Sequence, residues 1–535
     1  MTGSIGRRDL LKVGASAAAL ATIPRSLLAQ LGSRPELVPP IQDPRLKALA
    51  LRGVDAARAA GASYADVRLS HTRLRGFRAD VRSIGDRESM VVGARALVNG
   101  YWGFASGPVW SPDEMARLGR EAVHQAKANT LGDSRVVELA PTPVVADGHW
   151  VMPVEIDPFE ISPFEIVDHL RGLDYFVGRF PNFGATINGC EFHVQEKAFA
   201  SSDGSYCTQR IYRSSGAFGV RLRRKAIDLS GSLDRLTPVG MGWELYTGQP
   251  VRDYIEQLVA EVEEDAKLPM RPVDVGRYDT VCDAWSVAEL VDATLGRATE
   301  LDTALGYEAN AGGTSYLNDP LAMLGTYKVG PAGITVTANR SEKGGAGTTK
   351  WDDEGVAPED FALVKDGVLA DFQTTRESAG WIADFYGKRG SPVRSHGCAS
   401  APSALEVPLT HVPNLTLTSG REARDFNASV AAVKKGIAVR AMQVDMDFQH
   451  VTGLATGRVY EIKDGKRVAR LNGAGFLFRA TDLWKSLAAL GGPASVRRFG
   501  HDAQKGEPAQ RTYHSVTSPT AAFEQLTLID VLRKA

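Results

Sequence analysis

Residues 284–296 read AWSVAELVDATLG. Val287, Leu290, Val291 and Leu295 recur at three- and four-residue steps, which predicts a helix with one apolar face. Glu289 sits on that helix with Ala288 before it and Ala293 four residues on. A solvated surface glutamate is the plain reading of that position. The stretches downstream have the period of strands. YKVGPAGITVTAN (327–339), FALVKDGVLADFQTT (361–375) and GRVYEIKDGKRVARL (457–471) are short apolar runs. In the last two, Lys-Asp-Gly is placed as a hairpin turn. One helix leading many short strands predicts a β-rich C-terminal domain, 271–535, that carries this helix.

Upstream the pattern changes twice. VRDYIEQLVAEVEEDAKL (251–268) is an amphipathic helix that ends before Pro269. Residues 181–235 hold short alternating runs broken by Gly, Ser and Asp-Gly, the pattern of an antiparallel meander. A helix is predicted within 160–175 and a Pro- and Val-rich connection over 136–155, giving a middle strand and helix region, 136–270. Before it, a helix starts at Leu46 and stops near Gly61. A strand covers Tyr64–Leu69, a hairpin over 90–106 turns at Asn99-Gly100, and a helix covers 112–130. These form an N-terminal domain of helices and antiparallel strands, 46–135. The fold class is α+β.

The first 45 residues read differently. Arg7-Arg8 precede a short apolar run, Val13 to Ile23, with small residues near Ala29. That is the layout of a signal peptide over 1–29, and the paired arginines resemble a twin-arginine signal. The expected destination is periplasmic or extracellular. Residues 30–45 are Pro-rich and read as a linker. No later segment has the length of apolar sequence that spans a bilayer. Net charge is −1 with no long basic run, which argues against nucleic acid and anionic membranes as partners. Four cysteines are too few for a disulfide framework.

Standard catalytic signatures are absent: no phosphate loop, no nucleophile elbow, no paired CxxC and no HExxH. GGAGTT (344–349) lacks a strand-to-helix setting and reads as a mobile loop or hairpin. His396 and Cys398 are one residue apart without further ligands nearby in sequence. His411, His450, His501 and His514 each stand alone.

Several blocks, taken in order, resemble the TldD/PmbA family, which includes the paired TldD and TldE proteins. They are GASYADVRL (61–69), GARALVNGYWGFAS (93–106), the helix at 286–303 followed by GGTSYL (312–317), GTTKWDDEGVAPEDFALVKDGVLADF (347–372) and VPNLTLTSG (412–420). The resemblance implies a metallopeptidase scaffold. Active members hold zinc through an HExxxH helix and a cysteine near the C-terminus, with the glutamate as general base. Residues five apart on a regular α-helix point about 140° apart, so such a motif calls for a π-bulge.

Aligned through GGTS, the histidine positions fall on Ala288 and Ala293, and the base falls on Glu289. The cysteine position falls on Lys505 in KGEPAQ (505–510). Alanine has no donor atom, lysine brings a positive charge, and a catalytic zinc needs about three protein ligands. The resemblance therefore implies a pseudo-protease: no bound metal or other cofactor, and a partner subunit that binds extended peptide, as an added strand at a sheet edge, in a homo- or heterodimer with a TldD/TldE-type subunit. The alternative is an active peptidase, metal-independent or using other ligands such as His396, Cys398 or His411. In that alternative Glu289 and Lys505 pair across the old site. An export-linked factor that modifies a peptide without cleaving it has the same sequence signature.

Overall fold

The computed structural model describes residues 41–533 apart from 80–82, 131–135, 226, 233–235 and 248. The expected signal peptide and most of the expected linker lie outside the described residues. The linker's end is already structured. Asp43 caps helix α1 (Pro44–Ala59) by accepting from the Arg45 amide, and Pro44 sits in its first turn, where no N–H is needed.

The first half of the chain is built on one sheet. Strands β1 (Tyr64–Arg78), β2 (Ser83–Val98) and β3 (Tyr101–Gly107) precede helix α2 (Pro112–Asn129). Then come β4 (Gly148–Val151), helix α3 (Pro163–Val177), β5 (Phe183–Ser201), β6 (Tyr206–Arg224), β7 (Ile227–Ser232) and helix α4 (Gln249–Lys267). The strand order is β3-β2-β1-β5-β6-β4, with β7 also on β6. The expected boundary at residue 135 therefore does not separate two sheets. β1 runs past Leu69 to Arg78 because it is paired on both sides, by β2 and β5. The 136–155 stretch, expected as a connection, contributes β4, which runs parallel to β6.

Helices α1 and α2 cover one end of the sheet and α3 and α4 the other. The first pair cross closely. A Cβ on Gly119 would lie 2.2 Å from the Gly53 carbonyl oxygen, so only glycine fits there.

The second half is strand-rich, as the sequence predicts. Strands Gly276–Cys282, Lys435–Met446, Thr452–Lys463, Ala474–Arg479 and Ala521–Asp530 pair in a closed ring. Closure removes the exposed edges that an open sheet would leave. A six-stranded sheet ends on the hairpin Arg497–Lys505 and Gln510–Ser518. The Asn-Gly and Asp-Gly turns carry positive φ at both residues: Asn99 53° and Gly100 82°, Asp366 49° and Gly367 78°, Asp464 49° and Gly465 74°. That is the type I′ geometry, which matches the strand twist. Among the described residues no helix is long and apolar enough to cross a membrane.

Two loops of the second half differ from a surface reading. GGAGTT is not a mobile loop: Gly345 to Thr348 are buried. The Ala346 amide donates to Ser515 Oγ and the Gly347 amide to Asn414 Oδ1. The WDDEGV block clamps the two halves together. Asp353 takes Lys197 at 2.8 Å, and Glu354 accepts from Arg95 at 3.3 Å and from the Arg376 amide at 2.7 Å. Arg95 in turn holds buried Asp66 through its Nε and Nη2 edge.

His396 lies next to this block. Its Nδ1 faces Glu359 at 2.9 Å and its Nε2 faces Asp371 at 3.2 Å, with the ring stacked on Phe361 at 3.9 Å. Burial alone would push the imidazole down. The hydrogen bonds and charges of Asp371 and Glu359 outweigh it and hold the ring up at about 9. The cation is thus favoured in the folded state. Its stabilisation is full below the ordinary histidine value of 6.5 and is lost as pH rises through about 9. Chemical denaturation between pH 6 and 9 is expected to show a loss of about 3 kcal/mol that His396→Phe lacks.

Candidate functional site

Helix α5 (Ala284–Val291) starts where its sequence allows. Asp283 accepts from the Ser286 amide at 2.9 Å and from Ser286 Oγ at 2.5 Å. It does not end as an α-helix. Asp292–Gly296 is π-helical and Arg297–Thr299 is 3-10. The widening includes Ala293, which the sequence resemblance sets at a histidine position. Irregular turns release carbonyls, and neighbouring side chains take them. Tyr316 Oη donates to Thr294 O at 2.9 Å, Gln373 Nε2 to Gly296 O at 2.6 Å and Ser315 Oγ to Ala298 O at 2.8 Å. The GGTSYL block thus props the widened helix.

Glu289 and Asp292, three residues apart, face the hairpin Arg497–Lys505 and Gln510–Ser518. His501 and His514 are direct partners across it, with rings stacked at 5.5 Å between centroids. His514 Nε2 meets Asp292 Oδ1 at 2.7 Å. His501 Nδ1 lies 3.5 Å from Glu289 Oε1 and 3.9 Å from Asp292 Oδ2.

The protonation states diverge. Burial, with the Asp292 charge adding to it, pushes Glu289 up to about 8, so it carries its proton at neutral pH. Burial alone would raise Asp292 too. The His514 charge and hydrogen bond outweigh it and hold Asp292 at about 2. Burial pushes His501 down to about 4, leaving a neutral ring. Its Nε2 is buried without a hydrogen-bond partner. The result is a neutral acid beside a neutral imidazole.

Lys505 does not face Glu289. The residue is 3% exposed, and its ammonium donates to Glu300 Oε2 at 2.8 Å, Asp302 Oδ1 at 2.7 Å and Thr303 Oγ1 at 3.3 Å. All three of its hydrogens are used. Burial would lower the ammonium, but Asp302 and Glu300 outweigh it and hold it above its ordinary value. The expected Glu289–Lys505 pair is therefore replaced by two separate pairings, because the carboxylates of Glu300 and Asp302 lie closer to the lysine.

The residues that the resemblance sets at zinc positions do not fit zinc. Ala288 is fully buried and, like Ala293, offers no donor atom, and Lys505 offers a cation. Among the described residues no group of three His, Cys, Asp or Glu side chains has an arrangement that could hold a metal. The other candidate ligands form no metal-holding group among the described residues, although the His411 amide donates to the Cys398 carbonyl at 3.0 Å. His396 belongs to the Glu359 and Asp371 pair, and the buried Cys398 thiol is pushed up to about 12 by burial. His411 is buried with Nδ1 on Thr512 Oγ1 at 3.0 Å, and burial holds its ring well below the usual histidine range.

Asp292, His501 and His514 are not legible as a group in the sequence. One signal exists. His501 and His514 are equally spaced about the KGEPAQ turn, so a hairpin must bring them together.

Residues 275–530 match the family described as PmbA/TldA metallopeptidase C-terminal domain. A metalloprotease of Methanocaldococcus jannaschii is 21% identical over 402 residues, 73% of this chain and 81% of that one. A metalloprotease of Methanothermobacter thermautotrophicus is 26% identical over 299 residues, 53% of this chain and 58% of that one, so the chain spans little over half of that relative. Two solved structures share the fold. One, from Thermotoga maritima, is described as a candidate modulator of DNA gyrase. It has a TM-score of 0.68 at 15% identity and covers 90% of this chain and 100% of that one. The other is TldE from Thermococcus kodakarensis, with a TM-score of 0.64 at 14% identity, covering 89% of this chain and 98% of that one. The C-terminal half of the chain, 275–530, is thus similar to the metallopeptidase C-terminal domain of the TldD/PmbA family.

Proposed function

We propose that this chain is a metal-free member of the TldD/PmbA family, exported through its twin-arginine segment. It binds extended peptide and acts as a partner subunit, with a metal-bearing TldD/TldE-type chain, in peptide proteolysis or maturation. One observation carries the reading: the ammonium of Lys505 is fixed by Glu300 and Asp302, at the position the resemblance gives to a metal-binding thiolate. A site that has exchanged a ligand for a buried, paired cation gains nothing from zinc. The alanines at 288 and 293 point the same way, since restoring one ligand would not restore the set.

Elemental analysis of purified chain is expected to find less than one zinc in about ten molecules. Peptide hydrolysis should be absent alone and appear, or rise, when a metal-bearing subunit is added. Zinc at one per chain would overturn the proposal.

A second reading rests on Glu289. A carboxyl held at about 8 beside a neutral histidine is placed for general acid–base work at neutral pH. It requires hydrolysis by the chain alone, unaffected by chelator and lost in Glu289→Gln.

A further inference from the structure

A cavity of about 260 Å³ lies between α4 and the first turn of α5. Arg440, Arg458 and Arg497 line it, with Trp285 and Phe426 as aromatic walls. The acids of this wall already have partners, Glu261 on Arg440 within the wall itself. Asp283 caps α5 and also accepts from the Ala441 amide at 3.3 Å. Asp425 caps the helix Phe426–Ala431 through the Ala428 amide, and Glu261 pairs with Arg440.

The cations are less well served. The Arg458 side chain makes no hydrogen bond among the described residues, and its ion pair with Asp265 spans 3.7 Å. Among the described residues the Arg497 side chain donates only to the carbonyls of Ala494, at 3.0 Å, and Val496, at 2.7 Å. Arg440 and Arg458 are direct partners across two antiparallel strands. Arg440 already has the Glu261 carboxylate on it, so Arg458 is the less compensated of the two. The Thr520 hydroxyl, in the same wall, is buried without a partner. The Ala284 and Trp285 amides precede the first intrahelical bond of α5, Val287 to Asp283.

We propose that this cavity is a binding site for a small oxyanion, phosphate or carboxylate, held by Arg458 and Arg497 at the first turn of α5. Guanidinium edges match the oxygen spacing of both groups, and the helix terminus adds favourable partial charge. The aromatic walls accommodate a ring or short aliphatic body attached to the anion. The site also reaches the centre described above. The Trp285 ring lies 5.1 Å from Phe499 and 6.2 Å from His501, which faces Glu289.

The test is calorimetric titration of the full chain with inorganic phosphate and, in a separate arm, with benzoate, both at fixed ionic strength in chloride. Saturable binding at one site per chain is expected in at least one arm, and the arm that saturates identifies the source of the oxyanion. Arg458→Gln is expected to weaken it about tenfold or more. Arg497→Gln, a change at an exposed side chain, gives the same reading should Arg458→Gln not fold. Absence of saturable heat in both arms up to about 10 mM overturns the proposal. So does unchanged affinity in the folded variants.

Discussion

Lys505→Met is expected to lower the stability of the chain by about 3–5 kcal/mol, the cost of removing one partner from a buried ion pair. The side chain is 2% exposed and Glu300 is 3% exposed, so neither charge can turn to water. Methionine keeps most of the volume and removes the ammonium. Glu300 is then left with Thr303 Oγ1 at 3.0 Å and no cation on it. The loss should be read as a fall in the denaturant midpoint with unchanged slope. A triple variant, Lys505→Met with Glu300→Gln and Asp302→Asn, separates charge from packing. It should recover most of the loss, since removing all the charges together leaves nothing buried and unpaired. A cost under about 1 kcal/mol for the single change would mean that the ammonium is not what holds Glu300 and Asp302.

Glu289→Gln is expected to make the chain more stable at pH 8 and above. Glu289 is raised from 4.5 to about 8. Below 4.5 the folded and unfolded states both carry the proton. Between 4.5 and 8 the unfolded chain releases it while the folded chain keeps it, so stability falls as pH rises, then levels off. The accumulated cost is on the order of 4 kcal/mol. Glutamine has the same shape and no proton to lose, so its stability curve lacks that slope. Denaturant midpoints of both proteins from pH 5 to 9 check this. Parallel curves would show that Glu289 is ionised in the fold, and would remove the basis for a metal-independent acid–base role. The His396 contribution falls in an overlapping window, but its slope remains in the glutamine variant, so the two are separable.

The sequence carries the fold class well because its turns are chemically explicit. Asn99-Gly100 and both Lys-Asp-Gly stretches fix hairpins, since few residues adopt left-handed backbone twice in succession. The α5 helix and its irregular continuation are also legible, the first from periodicity and the second from the five-residue spacing implied by the family. Sheet membership is not. Nothing local in GHWV (148–151) says that it pairs parallel to a strand about sixty residues away. The burial of GGAGTT depends on Asn414 and Ser515, which are remote in sequence. The site is hidden for the same reason. Alignment places Lys505, but its partners are set by a turn at 300–303 whose approach no pattern announces.

The π-helical stretch Asp292–Gly296 has a consequence for phase. A π turn holds one more residue than an α turn, so it resets the angular relation between the segments on either side of it. Deleting one residue there would restore a regular helix and rotate its two ends relative to each other by about 100°. With Arg297–Thr299 anchored by Gln373 and Ser315, the rotation would fall on Glu289 and its turn. The irregularity therefore acts as an indexing step that aims a carboxyl at His501. That aim does not depend on a metal, because the Tyr316, Gln373 and Ser315 hydrogen bonds that hold the widened turns are all internal to the protein.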